Sequence, residues 1–302
     1  MKIGVLGWDH GDEDPDSPGL AEMGRELGHD TALFTLEEIS YEPGRSGVEV
    51  LLAGEAARSF DAVISRANLY GQWRSNLYDG WPDRIERLSM LSNVPGLPMF
   101  DPADVWFTGY SKFRNAQRLA AMGLPAPLTR SATTVAEVAT AVEEWGATIV
   151  KPSFGLRGID VERVEDTAAQ ADTVRELLAR YGTLVCQPYH PTEYGEYRIT
   201  VAGEVAPLNM LKLPAAGSWR CKTLEGASFE RFDPPSDLLE LAFRATRAMG
   251  MTLAGLDILP TVDGYVILEV NPVPGFLNIF GEGPRREALV GVYDWVEKHA
   301  SG

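Results

Sequence analysis

The sequence predicts an α/β fold that begins with a parallel β-sheet. Two short apolar runs, KIGVLG (2–7) and TALFTL (31–36), have the length and composition of buried strands. The segment between them is typical of a helix, with Ser17 as N-cap and Gly28 at the C-terminal end. A third strand is expected at FDAVISR (60–66). Strands separated by a helix commonly pair in parallel, so we expect a parallel sheet in the first lobe.

Length and composition are those of an ordinary globular protein. The chain has 302 residues, 45% of them apolar and 23% charged, which is ample for a sizeable core. Prolines between residues 94 and 104 predict a linker that closes the first lobe near residue 100. No apolar run approaches the roughly 20 residues needed to span a bilayer, and MKIGVLG lacks the pattern of a secretion signal. We therefore expect a cytoplasmic protein.

Charge and the reactive side chains exclude several functions. The 43 acidic and 27 basic residues give a net charge of −16, which repels nucleic acid and anionic membranes, so neither is an expected partner. Cys186 and Cys221 have no metal-binding spacing, and the histidines form no recognisable catalytic triad. No G-x-G-x-x-G turn follows the first strand, so a dinucleotide-dependent redox enzyme has no support.

The segment LAGLDILPTVDGYVILEVNPVPG (253–275) predicts a metal-binding β-hairpin. A three-residue loop ending at Gly264 would pair residue 261 with residue 265 and place Asp257 opposite Glu269. Asn271 would share their face of the sheet. Two carboxylates and an amide oxygen suit a hard cation such as Mg²⁺. The alternative, a surface hairpin with solvated acids, is disfavoured because the acids interrupt apolar runs, where unpaired charge is costly.

Two lysines lie in settings that indicate anion binding. Lys112 falls in the first turn of a helix predicted at 111–122, where the helix dipole disfavours a cation. Lys151 ends a strand that leads into the loop KPSFGLRG, in which Gly155 and Gly158 would let the backbone approach an anion closely. The loop is not a Walker A motif, because a strand follows it. A plain β-turn hairpin and a solvent-exposed lysine remain the alternatives.

A further pair of strands is predicted at LVCQPY and YRITVAGEV. Glu196 and Arg198 alternate on one face of the second strand, with Gln187 nearby. A carboxylate can accept from ribose hydroxyls, and an arginine can bind phosphate oxygens. The alternative is an exposed cross-strand ion pair, which contributes little to stability.

The order of these motifs resembles the ATP-grasp superfamily. The resemblance is closest to its RimK-type branch, which joins amino acids to carboxylates, and extends more distantly to D-alanine–D-alanine ligase. LEVNPVPG (268–275) is the most specific match, to the pattern hydrophobic-E-x-N-x-x-P-G, and the similarity spans essentially the whole chain. It implies an α/β ATP-grasp architecture, with an N-terminal parallel lobe (1–100) followed by two α+β lobes (101–185 and 186–302) that clamp ATP.

The resemblance also implies roles for individual residues. Those that would contact the nucleotide phosphates or form the loop over them are Lys112, Lys151, Ser153, Gly155 and Gly158. Those that would line the adenine and ribose pocket are Gln187, Pro188, Tyr189, His190 and Glu196. Those that would act at the reacting phosphate are Arg198, Arg220 and Lys222. Those that would bind one or two Mg²⁺ ions, which Mn²⁺ can replace, are Asp257, Glu269 and Asn271.

Two positions depart from the family pattern. Pro188 stands where many relatives have an acid, so only its carbonyl is available to the nucleotide. The segment WRCKTLEG around Lys222 is more similar to the dipeptide ligases than to RimK-type enzymes, which usually carry an asparagine there. These departures concern the substrate more than the chemistry.

The implied reaction joins a carboxylate to an amine through an acyl-phosphate and releases ADP. We expect the enzyme to add an amino acid to a small carboxylate, a peptide or a carrier protein. Its partners would be ATP and these two substrates, with a homo-oligomer left open. Substrate recognition is expected at residues 8–16 and 68–81 and at the turn after Asn271. Two alternatives are a degenerate ATP-binding regulatory protein and a carboxylate kinase that stops at the acyl-phosphate.

Overall fold

The computed structural model describes residues 1–8, 14, 16–44, 47–69, 80–155, 158–192, 194–221, 225–276 and 280–300. Lys222 and most of the two segments expected to recognise substrate, 8–16 and 68–81, therefore lie outside the described residues. None of the helices within the described ranges has the length and hydropathy needed to cross a bilayer.

The first lobe is built on a parallel sheet, as predicted. Its elements in chain order are β1 (Lys2–Leu6), α1 (Asp16–Glu26), β2 (Asp30–Phe34), β3 (Ile39–Gly44), β4 (Gly47–Leu52), β5 (Glu55–Ala56), β6 (Ala62–Ser65), α2 (Trp81–Ser92) and β7 (Met99–Phe100). The parallel strands have the order β2-β1-β6-β7. The antiparallel sheet β3-β4-β5 was not predicted, because β3 is largely exposed and has no apolar run that would indicate a strand.

The predicted start of α1 at a Ser17 cap is wrong. The helix begins at Asp16, and Ser17 lies inside its first turn. The reason is Asp14, whose Oδ1 accepts from the backbone N–H groups of Asp16 and Ser17 at 3.2 and 3.3 Å. The carboxylate supplies the acceptor that the helix N-terminus requires, so the helix starts earlier than the serine indicates.

The central part carries a second, antiparallel sheet. Its elements are α3 (Ala103–Tyr110), α4 (Lys112–Ala121), β8 (Arg130–Ala132), α5 (Val135–Trp145), β9 (Thr148–Pro152), β10 (Glu162–Val164), α6 (Ala171–Tyr181) and β11 (Leu184–Pro188). The strand order is β10-β9-β11-β8, and α5 and α6 contribute to the apolar core beside it. Helix α4 begins after Ser111, whose side chain accepts from the N–H of Arg114, so the predicted serine cap is observed.

The last part forms an antiparallel five-stranded sheet. Its elements are β12 (Glu196–Ala202), β13 (Val205–Leu213), β14 (Ser228–Arg231), α7 (Ser236–Met249), β15 (Leu253–Thr261), β16 (Gly264–Asn271) and α8 (Glu282–His299). The strand order is β14-β13-β12-β15-β16. Helix α7 packs in the core of this sheet, whereas α8 shares a core with α1 and β1 of the first lobe.

The β15–β16 hairpin differs from the predicted one in its turn. Thr261 pairs with Gly264, not with residue 265, so the loop is one residue shorter than expected. A β-bulge then shifts the register by one, because Ile258 pairs with Ile267 while Asp257 pairs with Glu269. The shorter turn and the bulge each shift the register by one residue in opposite directions, so they cancel at Asp257. The predicted pairing of Asp257 with Glu269 is therefore observed, although the turn was wrong.

Buried polar contacts join the first lobe to the segment that follows Asn271. Arg66 Nη1 donates to the carbonyl oxygen of Pro274 at 3.1 Å, and the N–H of Phe276 donates to Asp16 Oδ2 at 2.8 Å. Arg66 also pairs with Asp14, with 3.1 Å between Nη2 and Oδ1. Because Arg66 and Asp14 are almost fully buried, these contacts fix the loop firmly against the first lobe.

Candidate active site

Three oxygen-bearing side chains meet on one face of the β15–β16 hairpin. Asp257 pairs with Glu269, and Gly255 pairs with Asn271, so the three side chains point in the same direction. Asn271 Nδ2 lies 3.2 Å from Asp257 Oδ2 and 3.1 Å from Glu269 Oε1. Asp257 is 8% exposed, so its carboxylate is buried within the protein.

Two cations of the same sheet, on β12 and β13, pair with Asp257. Arg198 Nη1 donates to Asp257 Oδ2 at 2.8 Å, and Lys212 Nζ donates to Asp257 Oδ1 at 2.6 Å. Lys212 also forms an ion pair with Glu196. Sheet register accounts for two of these three contacts, since Arg198 lies opposite Asp257 and Glu196 lies opposite Lys212. Lys212 reaches Asp257 across the intervening strand β12. Lys212 is a site residue that the sequence reasoning missed.

Burial and ion pairing act in opposite directions on the pKa values of this cluster. Burial disfavours the ionised form of Asp257, but Arg198 and Lys212 hold its pKa well below the usual range. Burial likewise opposes the charge of Lys212, yet Asp257 and Glu196 raise its pKa. At Glu196 burial outweighs the attraction of Lys212, and its pKa is raised to about 7. Near neutral pH, Asp257 and Lys212 are therefore charged and Glu196 titrates.

The position of Arg198 depends on a glycine in the neighbouring strand. A Cβ at Gly255 would lie 2.7 Å from Nη2 and 2.8 Å from Cζ of Arg198. No side chain fits at that distance unless the guanidinium moves. Gly255 thus allows Arg198 to lie across the strand and reach Asp257.

Lys112 and Lys151 extend the cluster from α4 and β9. Lys112 Nζ lies 3.8 Å from Glu269 Oε2 and donates to the carbonyl oxygen of Gly155 at 3.3 Å. Lys151 is 8% exposed. Its burial and the charge of Lys112 lower its pKa to about 8, against the opposing influence of Glu269, Asp257 and Glu196. The two predicted phosphate-binding lysines and the predicted metal site therefore belong to one electrostatic cluster.

The glycine loop is joined to the start of α4. The backbone N–H of Lys112 donates to the carbonyl oxygen of Ser153 at 3.0 Å, and the hydroxyl oxygens of Ser111 and Ser153 are 3.3 Å apart. Gly158 has a φ of +66°, which favours glycine. Residues 156 and 157 lie outside the described residues, and closure of the loop over phosphates stays a prediction.

The predicted adenine-binding residues follow β11 into the last sheet. Gln187 is buried, and its Nε2 donates to Thr129 Oγ1 at 3.0 Å. Pro188 ends β11, and the N–H of Tyr189 donates to the carbonyl oxygen of Ala147 at 2.9 Å. His190 Nε2 is buried and has no hydrogen-bond partner among the described residues, and burial lowers the pKa of this histidine.

Aromatic and cationic groups surround Tyr189. The guanidinium carbon of Arg163 lies 4.2 Å from its ring centroid, and the ring of Trp219 meets it edge-on at 6.0 Å. Neither residue was predicted as part of the site. Such a grouping offers flat surfaces beside the predicted nucleobase pocket.

Arg220 joins the last sheet to the central one. Its Nε lies 2.9 Å from each carboxylate oxygen of Glu225, and its Nη1 donates to the carbonyl oxygen of Val161 at 2.7 Å. Val161 lies between the glycine loop and β10, so Arg220 contacts the hairpin that carries the loop. Its predicted role at the reacting phosphate stays a prediction, and Lys222 lies outside the described residues.

The donor set fits a divalent cation of the Mg²⁺ type. Two carboxylates and one amide can supply oxygen ligands, which Mg²⁺ prefers. Asn271 directs its amide nitrogen toward Asp257 and Glu269, and a half-turn of the amide would place its oxygen at the same point. The chemistry of these residues is therefore compatible with a metal that also binds phosphate oxygens.

The fold and site define an α/β protein in which acids of the five-stranded sheet meet cations from that sheet, from the central sheet and from α4. Residues 109–281, more than half of the chain, match the RimK-like ATP-grasp domain. The chain belongs to this family.

The relatives are ligases of similar length. The chain is 28% identical over 311 residues to a tetrahydromethanopterin:alpha-L-glutamate ligase from Methanosarcina acetivorans, covering 92% of this chain and 94% of the relative. It is 25% identical over 265 residues to a "Probable alpha-L-glutamate ligase" from Xanthomonas euvesicatoria pv. vesicatoria, covering 87% of this chain and 86% of the relative.

A solved structure shows the same fold. The structure of the ATP-grasp ligase PsnB complexed with minimal precursor has a TM-score of 0.70 at 21% identity, covering 96% of this chain and 98% of the other. The predicted ATP-grasp fold and the predicted class of enzyme, an ATP-dependent ligase that forms C–N bonds, are thereby confirmed.

Proposed function

We propose that this enzyme activates a substrate carboxylate as an acyl-phosphate and transfers the acyl group to an amine. The observation that carries the proposal is one cluster in which Asp257, Glu269 and Asn271 face cations from three other strands and a helix. Those cations are Lys112, Lys151, Arg198 and Lys212. Acids that can hold a metal and cations that can hold phosphate are both needed for phosphoryl transfer from ATP.

The residues divide into two groups by chemistry. Mg²⁺ bound by Asp257, Glu269 and Asn271 would neutralise charge on the β- and γ-phosphates of ATP. Lys112 of α4 and Lys151 of β9, which belong to the same cluster, would bind these phosphates.

The cationic side chains would also act on the intermediate. Arg198 and Arg220 would hold the transferred phosphate while the carboxylate oxygen attacks phosphorus and ADP leaves. The amine nitrogen then attacks the acyl carbon, phosphate leaves with the C–O bond electrons, and the amine loses a proton. Closure of the glycine loop would exclude water, which would otherwise hydrolyse the acyl-phosphate.

The nucleotide would enter along β11. Gln187, Pro188, Tyr189 and His190 would receive adenine, and Glu196 would accept from the ribose hydroxyls. Glu196 is suited to this because it pairs with Lys212, which also pairs with Asp257 of the proposed metal site. The free ring nitrogen of His190 is a further polar group available to the base.

The amine substrate we propose is an amino acid. Both curated relatives described above are named as alpha-L-glutamate ligases, so glutamate is the first amine to test. The carboxylate would be a small acid, a peptide or a carrier protein.

The proposal is tested by measuring the release of ADP from ATP in the presence of Mg²⁺ with panels of amino acids and small acids. We expect ADP only when both a carboxylate and an amine are supplied, together with an amide product detected by mass spectrometry. ADP and hydroxamate formed with hydroxylamine, but no amide with any amine, would instead identify a carboxylate kinase. Tight ATP binding without turnover on any acid would identify a regulatory protein.

A further inference from the structure

Lys212 connects two acids to which the proposed function gives different tasks. Its Nζ lies 2.6 Å from Asp257 Oδ1 and forms an ion pair with Glu196. The side chains of Lys212, Glu196 and Asp257 are 15%, 15% and 11% exposed. Because water reaches them so little, their mutual attraction is stronger than that of a surface ion pair.

Both oxygens of Asp257 already accept from protein donors. Lys212 occupies Oδ1, while Arg198 at 2.8 Å and the amide of Asn271 at 3.2 Å occupy Oδ2. A carboxylate has about four lone-pair sites, so a metal ion at Asp257 must either share Oδ1 with Lys212 or displace a donor from Oδ2. A half-turn of the Asn271 amide removes one donor from Oδ2, but Lys212 still competes for Oδ1 with its positive charge. Lys212 can move away because it has a flexible stem and a second acid, Glu196, to pair with.

The charge of the cluster opposes a metal ion as well. Among the described residues the carboxylates are Glu196, Asp257 and Glu269, and the facing cations are Lys112, Lys151, Arg198 and Lys212. Even when all three carboxylates are ionised, the four cations outnumber them, so the protein's own charge there is positive. A divalent cation is repelled by such a site, whereas the phosphates of a nucleotide are attracted to it.

We propose that Lys212 is a positioning residue that competes with the metal for Asp257 and thereby makes metal binding depend on the nucleotide. This inference rests on the proposed function. Nucleotide phosphates attract the lysine and reverse the sign of the local charge, so that Asp257 becomes available to the metal. The order of binding is nucleotide first, with the metal second or as a metal–nucleotide complex.

The test is the affinity of the full-length protein for Mn²⁺ without nucleotide, measured by calorimetry and by the electron paramagnetic resonance signal of free Mn²⁺. Lys212→Met keeps the length of the side chain and removes the competing charge. We expect it to tighten Mn²⁺ binding at least about tenfold, because a charge about 4 Å away acts strongly in a partly buried site. Lys298→Met removes a lysine charge from a surface pair with Glu204 and should change nothing.

Lys212→Arg and the effect of ADP distinguish competition with the metal from a purely structural role of Lys212. Lys212→Arg keeps the positive charge and should bind Mn²⁺ as weakly as the wild type. The factor by which ADP tightens Mn²⁺ binding should be smaller in Lys212→Met than in the wild type. An unchanged Mn²⁺ affinity in Lys212→Met, or an equal ADP factor in both proteins, would overturn the inference.

A measurement on the wild type covers the case in which Lys212→Met does not fold. Amine-reactive labelling read by peptide mass spectrometry should increase at Lys212 when Mn²⁺ saturates the protein, with Lys298 as internal reference. Unchanged labelling of Lys212 while Mn²⁺ demonstrably binds would contradict displacement of the lysine. Failure of the proposed function would look different: the protein would form no amide with any pair of acid and amine, whatever the Mn²⁺ affinity of Lys212→Met.

Discussion

The side-chain amide of Asn115 forms two hydrogen bonds with the backbone of Val270. Its Nδ2 donates to the carbonyl oxygen of Val270 at 2.8 Å, and its Oδ1 accepts the N–H of Val270 at 3.2 Å. Asn115 is 1% exposed, and β16 is an edge strand of its sheet. The pair therefore satisfies the open edge of β16 between Glu269 and Asn271, and it fixes both residues relative to α4.

Replacement of Asn115 should destabilise the protein and loosen the proposed metal site. Asn115→Ala leaves the buried N–H and carbonyl of Val270 without partners, which we expect to lower the free energy of unfolding by about 2–4 kcal/mol. Urea denaturation measures this, and Mn²⁺ affinity in the presence of ADP should fall as well. Gln117→Ala, at an exposed position of the same helix, is the control. Equal stability of the two variants would contradict the role of this contact.

Glu269→Gln should abolish ADP formation while leaving the fold intact. The amide keeps the shape of the side chain but removes the negative charge that binds the metal, so we expect a loss of at least about 100-fold. Asp263→Asn removes the same charge from the exposed tip of the same hairpin and should retain activity. Circular dichroism establishes that both variants are folded. Near-normal turnover by Glu269→Gln would refute the metal assignment.

Binding of ADP without metal should weaken as the pH rises through the pKa of Lys151. Burial and the nearby charge of Lys112 lower that pKa to about 8, so Lys151 loses its proton above this pH unless phosphate holds it. Affinity is fully present at about pH 7 and below, where Lys151 is protonated, and we expect the dissociation constant to increase about tenfold between pH 7 and pH 9. Lys151→Arg keeps its charge and should remove this dependence. Calorimetry in the presence of EDTA measures the dissociation constant of ADP for the wild type and for Lys151→Arg. The same pH dependence in both proteins would count against the assignment.

Stability should depend on pH through Asp101, which ties the first lobe to the start of β15. Asp101 Oδ1 accepts the N–H of Thr252 at 2.8 Å, and burial raises the pKa of Asp101 to about 7. A carboxyl whose pKa is raised on folding stabilises the protein fully below its unfolded pKa of about 4 and progressively less as the pH rises to about 7.

Asp101→Asn removes this titration. The difference in unfolding free energy between the variant and the wild type should therefore shift in favour of the variant by about 1–4 kcal/mol between pH 4 and pH 8. Thermal or urea denaturation at both pH values measures the shift, with Asp263→Asn as control. A difference that does not vary with pH would show that the carboxyl does not titrate in this range.

Two β-bulges explain why the site was only partly predictable. Counting back from the turn at Gly203 without a bulge would place Leu211 opposite Glu196, but Lys212 is found there. The register shifts near Pro207, which has no N–H to donate to the ladder, and a proline within a strand is the signal that could have revealed Lys212. The second bulge lies at Ile267 of β16. The N–H of Ile267 donates to the carbonyl oxygen of Pro125, which is outside the hairpin.

The sequence by itself determined the features that depend on local interactions. The parallel strands of the first lobe, the cap of α4 at Ser111, the strand–loop–strand around Lys151 and the motif LEVNPVPG all depend on neighbours within a few residues. These features were enough to indicate the family and the acids of the proposed metal site. They fixed the chemistry available to the protein.

Tertiary structure alone decided which groups meet. Asn115 and Val270 are 155 residues apart, Arg66 and Pro274 are 208 apart, and Lys212 reaches Asp257 through a bulged strand. A one-residue change of register turns a side chain to the opposite face of a sheet, and no local pattern fixes a register that depends on a distant carbonyl. The partners of Asp257, and with them the charge of the site, follow from packing between elements far apart in the chain.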